Sequence, residues 1–473
     1  MSNFSNNARE SIHGLWSSRM TFILAVTGSA VGLGNIWKFP YIAGSNGGGA
    51  FVLVYLICIL LIGFPIMVSE ILLGRKGRRN PITSMQLLGQ EERGNKSWMI
   101  SGFIGLFAGF LILSYYSVIA GWTLHYFTLS ITGTFNNLDN GQVNDIFSSL
   151  TSSISTQALF HTVFMLLTII IIAKGIKNGL EKAVKLMMPA LLVIMLILLI
   201  YSITQGDFIE GVEYLLFPDF SKINAESILA AMGQAFFTLS LGMGCIFMYG
   251  AYLPKNVSIV RTTATIIICD TFVALMSGLI IFPIVFQFDL DPAGGPGLIF
   301  LTLPLAFNEI LGGTIFAALF FILLSFAAIT SALSLLEPSV AWLIENSNVT
   351  RRSAAVIIGG TIWLLGFCTI FSFNILQDFT FFEILHQNNE DAKGTLFDNF
   401  DYISSNILLP VSGLLFTLFA GWFMRKESTK SELSDVTQTS YNLWLILAKY
   451  VAPIGVIFIL LNSINKVFNI VLF

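Results

Sequence analysis

Apolar runs of about 20 residues, the length that crosses a bilayer core as a helix, recur along the whole chain. Counting each run as one span predicts about eleven helices. They centre near Val26, Ile59, Leu111, Leu167, Ile194, Thr238, Leu275, Phe326, Leu364, Leu414 and Ile457. Polar stretches separate them at 75–97, 132–157, 206–227, 289–312, 374–398 and 425–440. The segment 294–305 is apolar but short and bracketed by prolines, so it reads as a re-entrant or interfacial hairpin in an outer loop.

Two spans carry an interruption at mid-membrane depth. The first reads TGSAVGLGNIW (Thr27 to Trp37) and the sixth FFTLSLGMGCIF (Phe236 to Phe247), each with two closely spaced glycines, Gly32 and Gly34, then Gly242 and Gly244. Paired broken helices at corresponding places in two halves point to a transport site between inverted repeats. The competing reading is that these glycines only let neighbouring helices approach closely.

Composition supports a membrane solvent. Hydrophobic residues make up 55% of the 473 and charged residues 11%, against about 25% charged in a soluble domain; the mean hydropathy is +0.80. Net charge −3 with this much apolar surface argues against nucleic-acid binding and against disorder. Cys58, Cys245, Cys269 and Cys368 lie in apolar runs without CxxC or Cys/His spacing, so they read as small core residues. The first apolar segment ends in GNIWKFP, which is no cleavage site, so it reads as a retained helix.

Sidedness follows from Lys and Arg, which concentrate on the cytoplasmic side. With the N-terminus inside, all 24 fall on inner segments except Lys38, Lys222, Lys393, Lys449 and Lys466. An odd number of spans then places the C-terminus outside, in a plasma membrane of the bacterial inner-membrane kind.

Six stretches, GSAVGLGNIWKFPY (28–41), NGGGAF (46–51), GFPIMVSEILLGR (63–75), SYYSVIAGW (114–122), GQAFFTLSLGMG (233–244) and AAITSALSLLEP (327–338), together resemble the neurotransmitter:sodium symporter family, in its bacterial LeuT-like and MhsT-like amino-acid transporter branch. They span most of the chain in the family's order. The resemblance implies an all-α polytopic membrane protein of LeuT-type fold, a 5+5 inverted repeat with helices one and six broken. Residues 1–16 would be a cytoplasmic segment, 17–205 and 226–424 the two five-helix repeats, and 441–473 an additional helix.

A sodium ion stripped of water needs several hard oxygen ligands, and unwound backbone supplies carbonyls for them. By resemblance, one sodium site uses Ala30, Asn35, Thr238 and Asp270 with the substrate carboxylate. A second uses carbonyls of Gly28, Val31 and Ala327 with hydroxyls of Thr330 and Ser331; the plainer reading of those hydroxyls is a bond back to their own helix. Asp270 stands in TIIICDTFVALMSG, where a charge is costly and marks a functional site. Chloride-dependent relatives have Asn there and usually Ser one turn later, where this chain has Ala274. A permanent carboxylate would take over chloride's role, so no chloride is expected.

The substrate subsite implied by the resemblance takes the carboxylate of an amino acid at the amides of Leu33 and Gly34 and at Tyr116. It takes the ammonium at carbonyls of Ala30, Phe237 and Thr238 and the Ser240 hydroxyl. The side chain would lie among Ile112, Tyr116, Phe237, Met243, Ser331 and Leu335, with no charge to favour a polar ligand. Met243, where LeuT has a bulkier Phe, suggests breadth. Glu70 is the other costly buried charge and would brace the unwound backbone. Lys38 and Asp401 match the outer gate, with Lys where Arg is usual and cannot reproduce its fork. Trp16 matches the inner anchor, and His13 stands where Arg is usual, facing Glu345, with Arg9 as a second candidate partner.

The expected activity is therefore sodium-coupled symport of hydrophobic L-amino acids by alternating access, with two sodium sites, by a monomer or weak dimer in the lipid bilayer. No catalytic constellation points to an enzyme. A proton-coupled transporter of the same fold, an ion channel and a non-transporting sensor are the rival readings.

Overall fold

The computed structural model describes residues 9–136, 138–290, 297–309, 312–381 and 394–468. Nine of its helices are long and apolar enough to cross a membrane unbroken: Gly49–Gly77, Lys96–Ile131, Ile154–Ala173, Ile176–Gln205, Ile259–Gln287, Gly313–Asn346, Arg351–Ser372, Leu396–Phe423 and Gln438–Asn465. A tenth span consists of Arg19–Ala30 and Gly34–Ser45, bent by 52° at the break. An eleventh is split more widely, into Ala225–Thr238 and Cys245–Ala251 with residues 239–244 between them. The broken spans are the first and the sixth in chain order.

Helices this apolar bury only part of themselves, and the buried share sorts them. The third and eighth spans, 36 and 34 residues long, are each 72% buried over their most apolar stretch and lie side by side. The fourth and fifth spans are 33% buried and present apolar side chains outward, as lipid contact requires. Arg19–Ala30 packs on the fifth, seventh and eighth spans, and Cys245–Ala251 packs on the second. Both breaks therefore lie inside the bundle, where irregular backbone at membrane depth is tolerated only against protein or a cavity.

Several stretches that read as polar connections are helical. Asn80 caps Pro81–Arg93 by accepting from the Ile82 and Thr83 amides, with Pro81 at the first helical position, where its missing N–H costs nothing. Asp139 and Gln142 form a capping box at the start of Asn140–Ser152. Residues 298–305 of the expected outer-loop hairpin belong to one apolar helix, Leu298–Phe307, with Leu298, Ile299, Phe300 and Phe307 buried; residues 294–296 lie outside the described residues.

Lys449, which the sequence reading set apart from Arg93, lies beside it at the same end of the bundle. Its stem lies against Gly421, its Nζ sits 5.0 Å over the Trp422 ring, and its carbonyl accepts from Trp422 Nε1 at 2.9 Å. Arg93 bonds the Trp422 and Phe423 carbonyls from the other side. Lys449 thus shares the Trp422 end of the bundle with Arg93. The eleventh span begins well beyond the end of the tenth, a register that span length alone does not reveal.

Candidate functional site

The first span stops at Ala30 because Val31 leaves the helical region, with ψ 99°. In the sixth, Ser240, Gly242 and Gly244 all have positive φ, 52°, 76° and 73°, a conformation glycine adopts freely and serine rarely. Glu70, fully buried, accepts from the Gly242 amide at 2.7 Å. Gln234 Nε2 donates to the Gly34 carbonyl at 3.0 Å and ties the two broken spans together.

Between the breaks lies a cavity of about 30 Å³, the space of one or two ordered waters. Ala30, Leu33, Gly34, Ile112, Tyr116, Phe237, Ser240, Met243, Ser331 and Leu335 line it, as do Ser29, Gly32 and Ser334. Of the expected substrate residues only Thr238 is absent from the wall. No charged side chain lines it. The buried Tyr116 hydroxyl lies near Ser331 and the Leu33 backbone but makes no well-formed hydrogen bond among the described residues, so its bonding capacity is left for whatever enters. The Ser240 hydroxyl donates to the Ser29 carbonyl at 2.9 Å, and the Phe237 carbonyl accepts the Ser240 amide at 3.0 Å. Two of the four expected ammonium acceptors are thus engaged with backbone.

Thr238 turns instead to Asp270. Its Oγ1 donates to Asp270 Oδ2 at 3.2 Å, and Asn35 Nδ2 donates to Oδ1 at 2.8 Å. All three are buried to within 1%, and no cationic side chain among the described residues comes within 4.0 Å of the carboxylate. A buried carboxylate served only by neutral donors is the electrostatic requirement of a cation site.

The second expected ion site separates its two hydroxyls. Thr330 Oγ1 bonds back to its own helix, at 3.1 Å from Phe326 O and 3.0 Å from Ala327 O. Ser331 Oγ instead crosses to the frayed end of the first span, 3.5 Å from Gly28 O, 3.2 Å from Ser29 O and 3.4 Å from Val31 O. Three carbonyls of the first span thus gather about the Ser331 hydroxyl where the helix opens, hard donors of the kind an alkali cation takes, while Thr330 stays engaged within its own helix.

The two expected gates differ in their contacts. On the inner side Trp16 is buried, its indole donates to the Tyr249 carbonyl at 3.1 Å, and its amide donates to the Tyr252 carbonyl. His13 Nε2 lies 2.8 Å from Glu345 Oε1, with both side chains under 5% exposed, and Asn80 adds two bonds to the same carboxylate. Arg9 pairs with Glu91 rather than with Glu345. On the outer side Lys38 and Asp401 do not pair: Lys38 Nζ lies 4.2 Å above the Phe237 ring. Asp401 accepts from Tyr115 and Ser405 at 2.9 and 3.1 Å. Lys38 and Phe237 also border a 210 Å³ cavity on the outer side of the site.

Three wall residues escaped sequence reasoning. Ser29 donates to Ser334 at 2.7 Å and Ser334 to the Ser331 carbonyl. The signal was present, since Ser331 and Ser334 are three apart and share one helix face.

The model of the Sodium:neurotransmitter symporter family matches residues 13–149 and 140–472. The chain belongs to that family. Among curated symporter relatives, the uncharacterized sodium-dependent transporter YhdH of Bacillus subtilis (strain 168) is 37% identical, over 95% of this chain and 97% of its own. An uncharacterized sodium-dependent transporter of Haemophilus influenzae is 34% identical, over 95% and 98%. Among solved structures, MhsT in complex with L-phenylalanine matches with a TM-score of 0.86 and 39% identity, covering 95% of this chain and 99% of that one. The chain is thus an integral, sodium-dependent membrane transporter of LeuT-type fold, not an enzyme.

Proposed function

We propose that this sodium-dependent transporter takes up hydrophobic and aromatic L-amino acids by symport. The observation that carries the proposal is the uncharged cavity between the two breaks, polar at its helix-end floor and bounded by Ile112, Phe237, Met243 and Leu335. MhsT was solved with L-phenylalanine, a ligand of this class. The carboxylate would meet the first-span amides and Tyr116, since helix N-termini favour anions. The cavity is too small for such a ligand as it stands, so Met243 and Phe237 must shift outward to admit it.

Two sodium ions are proposed as co-substrates, one at Ala30, Asn35, Thr238 and Asp270, the other at Gly28, Val31, Ala327, Thr330 and Ser331. Because the substrate carboxylate also completes the first set, each ligand raises the other's affinity by the same factor. Asp270 supplies a fixed negative charge, so transport proceeds without chloride. The two breaks five spans apart support five-helix repeats over 17–205 and 226–424. The basic residues support a cytoplasmic N-terminus and an outer C-terminus in the plasma membrane. The inner contacts of Trp16 and His13 together with the unpaired Lys38 and Asp401 support an inside-closed conformation within an alternating-access cycle. We assign a monomer or weak dimer as the working state.

Uptake into proteoliposomes tests the proposal. Labelled phenylalanine or leucine accumulates under an inward sodium gradient and is displaced by unlabelled hydrophobic amino acids. Undiminished uptake with choline in place of sodium, driven by a proton gradient, would establish the proton-coupled rival instead.

A further inference from the structure

Where the tenth span ends beside the eleventh, two adjoining cavities of about 610 and 300 Å³ open on the basic end of the bundle. They share Arg93 and Trp422; Trp98 and Phe423 complete one, and Arg425, Lys426 and Lys449 border the other. Arg93 spends its donors on the Phe423 and Trp422 carbonyls at 2.7 and 3.3 Å, which leaves its charge without a counter-ion. Among the described residues no carboxylate lies within 4.0 Å of Arg93, Lys426 or Lys449. The local acids do not redress this. Glu92 is taken by Arg425 and Ser428, and only Glu427 lines the cavity itself.

The surface beside these cations is apolar and outward-facing: Leu443, Ile446, Tyr450 and Trp422 are 58, 54, 50 and 44% exposed. Lys449, half-buried with its stem along Gly421, therefore holds a charge within the apolar band of the eleventh span. Such a charge reaches toward the interface or meets an anion there. We propose that this cleft binds the phosphate headgroup of an anionic phospholipid of the inner leaflet. Lys449 and Lys426 would contact the phosphate while the acyl chains lie along Leu443, Ile446 and Tyr450. Basic pockets between spans on this side are suited to such headgroups, and Trp98 and Trp422 have the amphipathic rings of the interfacial belt. A soluble anion would gain nothing from the apolar wall, and this favours the lipid. The inference is independent of the substrate assignment.

Native mass spectrometry of the full-length protein in detergent tests it, using phosphatidylglycerol and phosphatidylcholine of equal chain length. Phosphatidylglycerol should be retained preferentially. Each lysine removed should weaken retention about fivefold, so Lys426→Gln/Lys449→Gln loses more than tenfold while Lys426→Arg/Lys449→Arg keeps it. Lys426→Gln alone, an exposed position, gives the same test at about fivefold if the double variant does not fold. Equal retention of both lipids, or unchanged retention in the Gln variants, overturns the proposal. So does an equal loss in Arg261→Gln, a distant charge control. Displacement of the lipid by millimolar inorganic phosphate would identify a soluble-anion site and overturn the lipid assignment as well.

Discussion

Asn35 Nδ2 donates to Asp270 Oδ1 at 2.8 Å and joins the reopened first span to the middle of the seventh. The bond matters because of its neighbours: Asn35 also accepts the Gly32 amide at 3.3 Å, and its carbonyl accepts from Ser277 at 2.6 Å. A single amide side chain thus couples the position of the first break to the fully buried Asp270 carboxylate.

Asp270→Asn keeps the shape and removes the charge. Apparent sodium affinity should fall by about 5–150-fold, the usual span of a coupling energy, measured as the sodium dependence of substrate binding. In the unchanged protein, replacing chloride with gluconate should leave uptake unaltered. A strong chloride requirement there would refute the role given to Asp270.

Tyr116→Phe separates substrate recognition from folding. The Tyr116 hydroxyl makes no well-formed hydrogen bond among the described residues, so its loss should change stability by no more than about 1 kcal/mol. A hydrogen bond to a carboxylate contributes about 1.5–3 kcal/mol, so amino-acid affinity should drop at least about tenfold. Isothermal titration in sodium, beside thermal unfolding without ligand, reads both quantities.

How much of this was legible beforehand depended on the range of the interaction. The breaks at Gly32 to Gly34 and Gly242 to Gly244 were visible because glycine pairs interrupt otherwise apolar runs. Glu70 and Asp270 stood out because a charge there is costly whatever surrounds it. The helices at 81–93 and 140–152 were missed although Asn80, Pro81, Asp139 and Gln142 are local capping signals; long polar stretches between spans drew attention to loops. The place of Lys449 beside Arg93, the engagement of Asp401 by Tyr115, and the Ser29–Ser334 bond depend on how distant helices slide past one another, which no local pattern encodes.

Gly242→Ala and Gly233→Ala form a matched pair on the sixth span. Gly242 has φ 76°, and a Cβ there would lie 2.3 Å from the Leu409 carbonyl oxygen. Strain in the left-handed region alone costs about 1–2 kcal/mol, and the backbone clash would also pull Gly242 from Glu70. A lowered melting temperature is expected. Gly233 lies in a regular helix with nothing within 4 Å of its added Cβ. Alanine there should be neutral or stabilise by up to about 1 kcal/mol, unless its place on the outer cavity wall hinders entry, which uptake would show.

His13 and Glu345 make the inner closure conditional, because histidine carries a full charge only when protonated. The Glu345 carboxylate keeps two bonds from Asn80 when His13 is removed, so His13→Ala should cost one hydrogen bond, about 0.5–1.5 kcal/mol, rather than strand a bare buried charge. Trp16 remains as the second anchor. The consequence should be local: the Trp16 amide, bonded to Tyr252 in the closed form, becomes exposed more often. Hydrogen exchange at residues 13–18 should accelerate by about 2- to 12-fold, the factor that this energy converts to. His13→Arg should slow exchange instead by making the pair permanent. Identical exchange in all three proteins would show that the histidine contributes nothing to closure and that Trp16 alone holds the inner side.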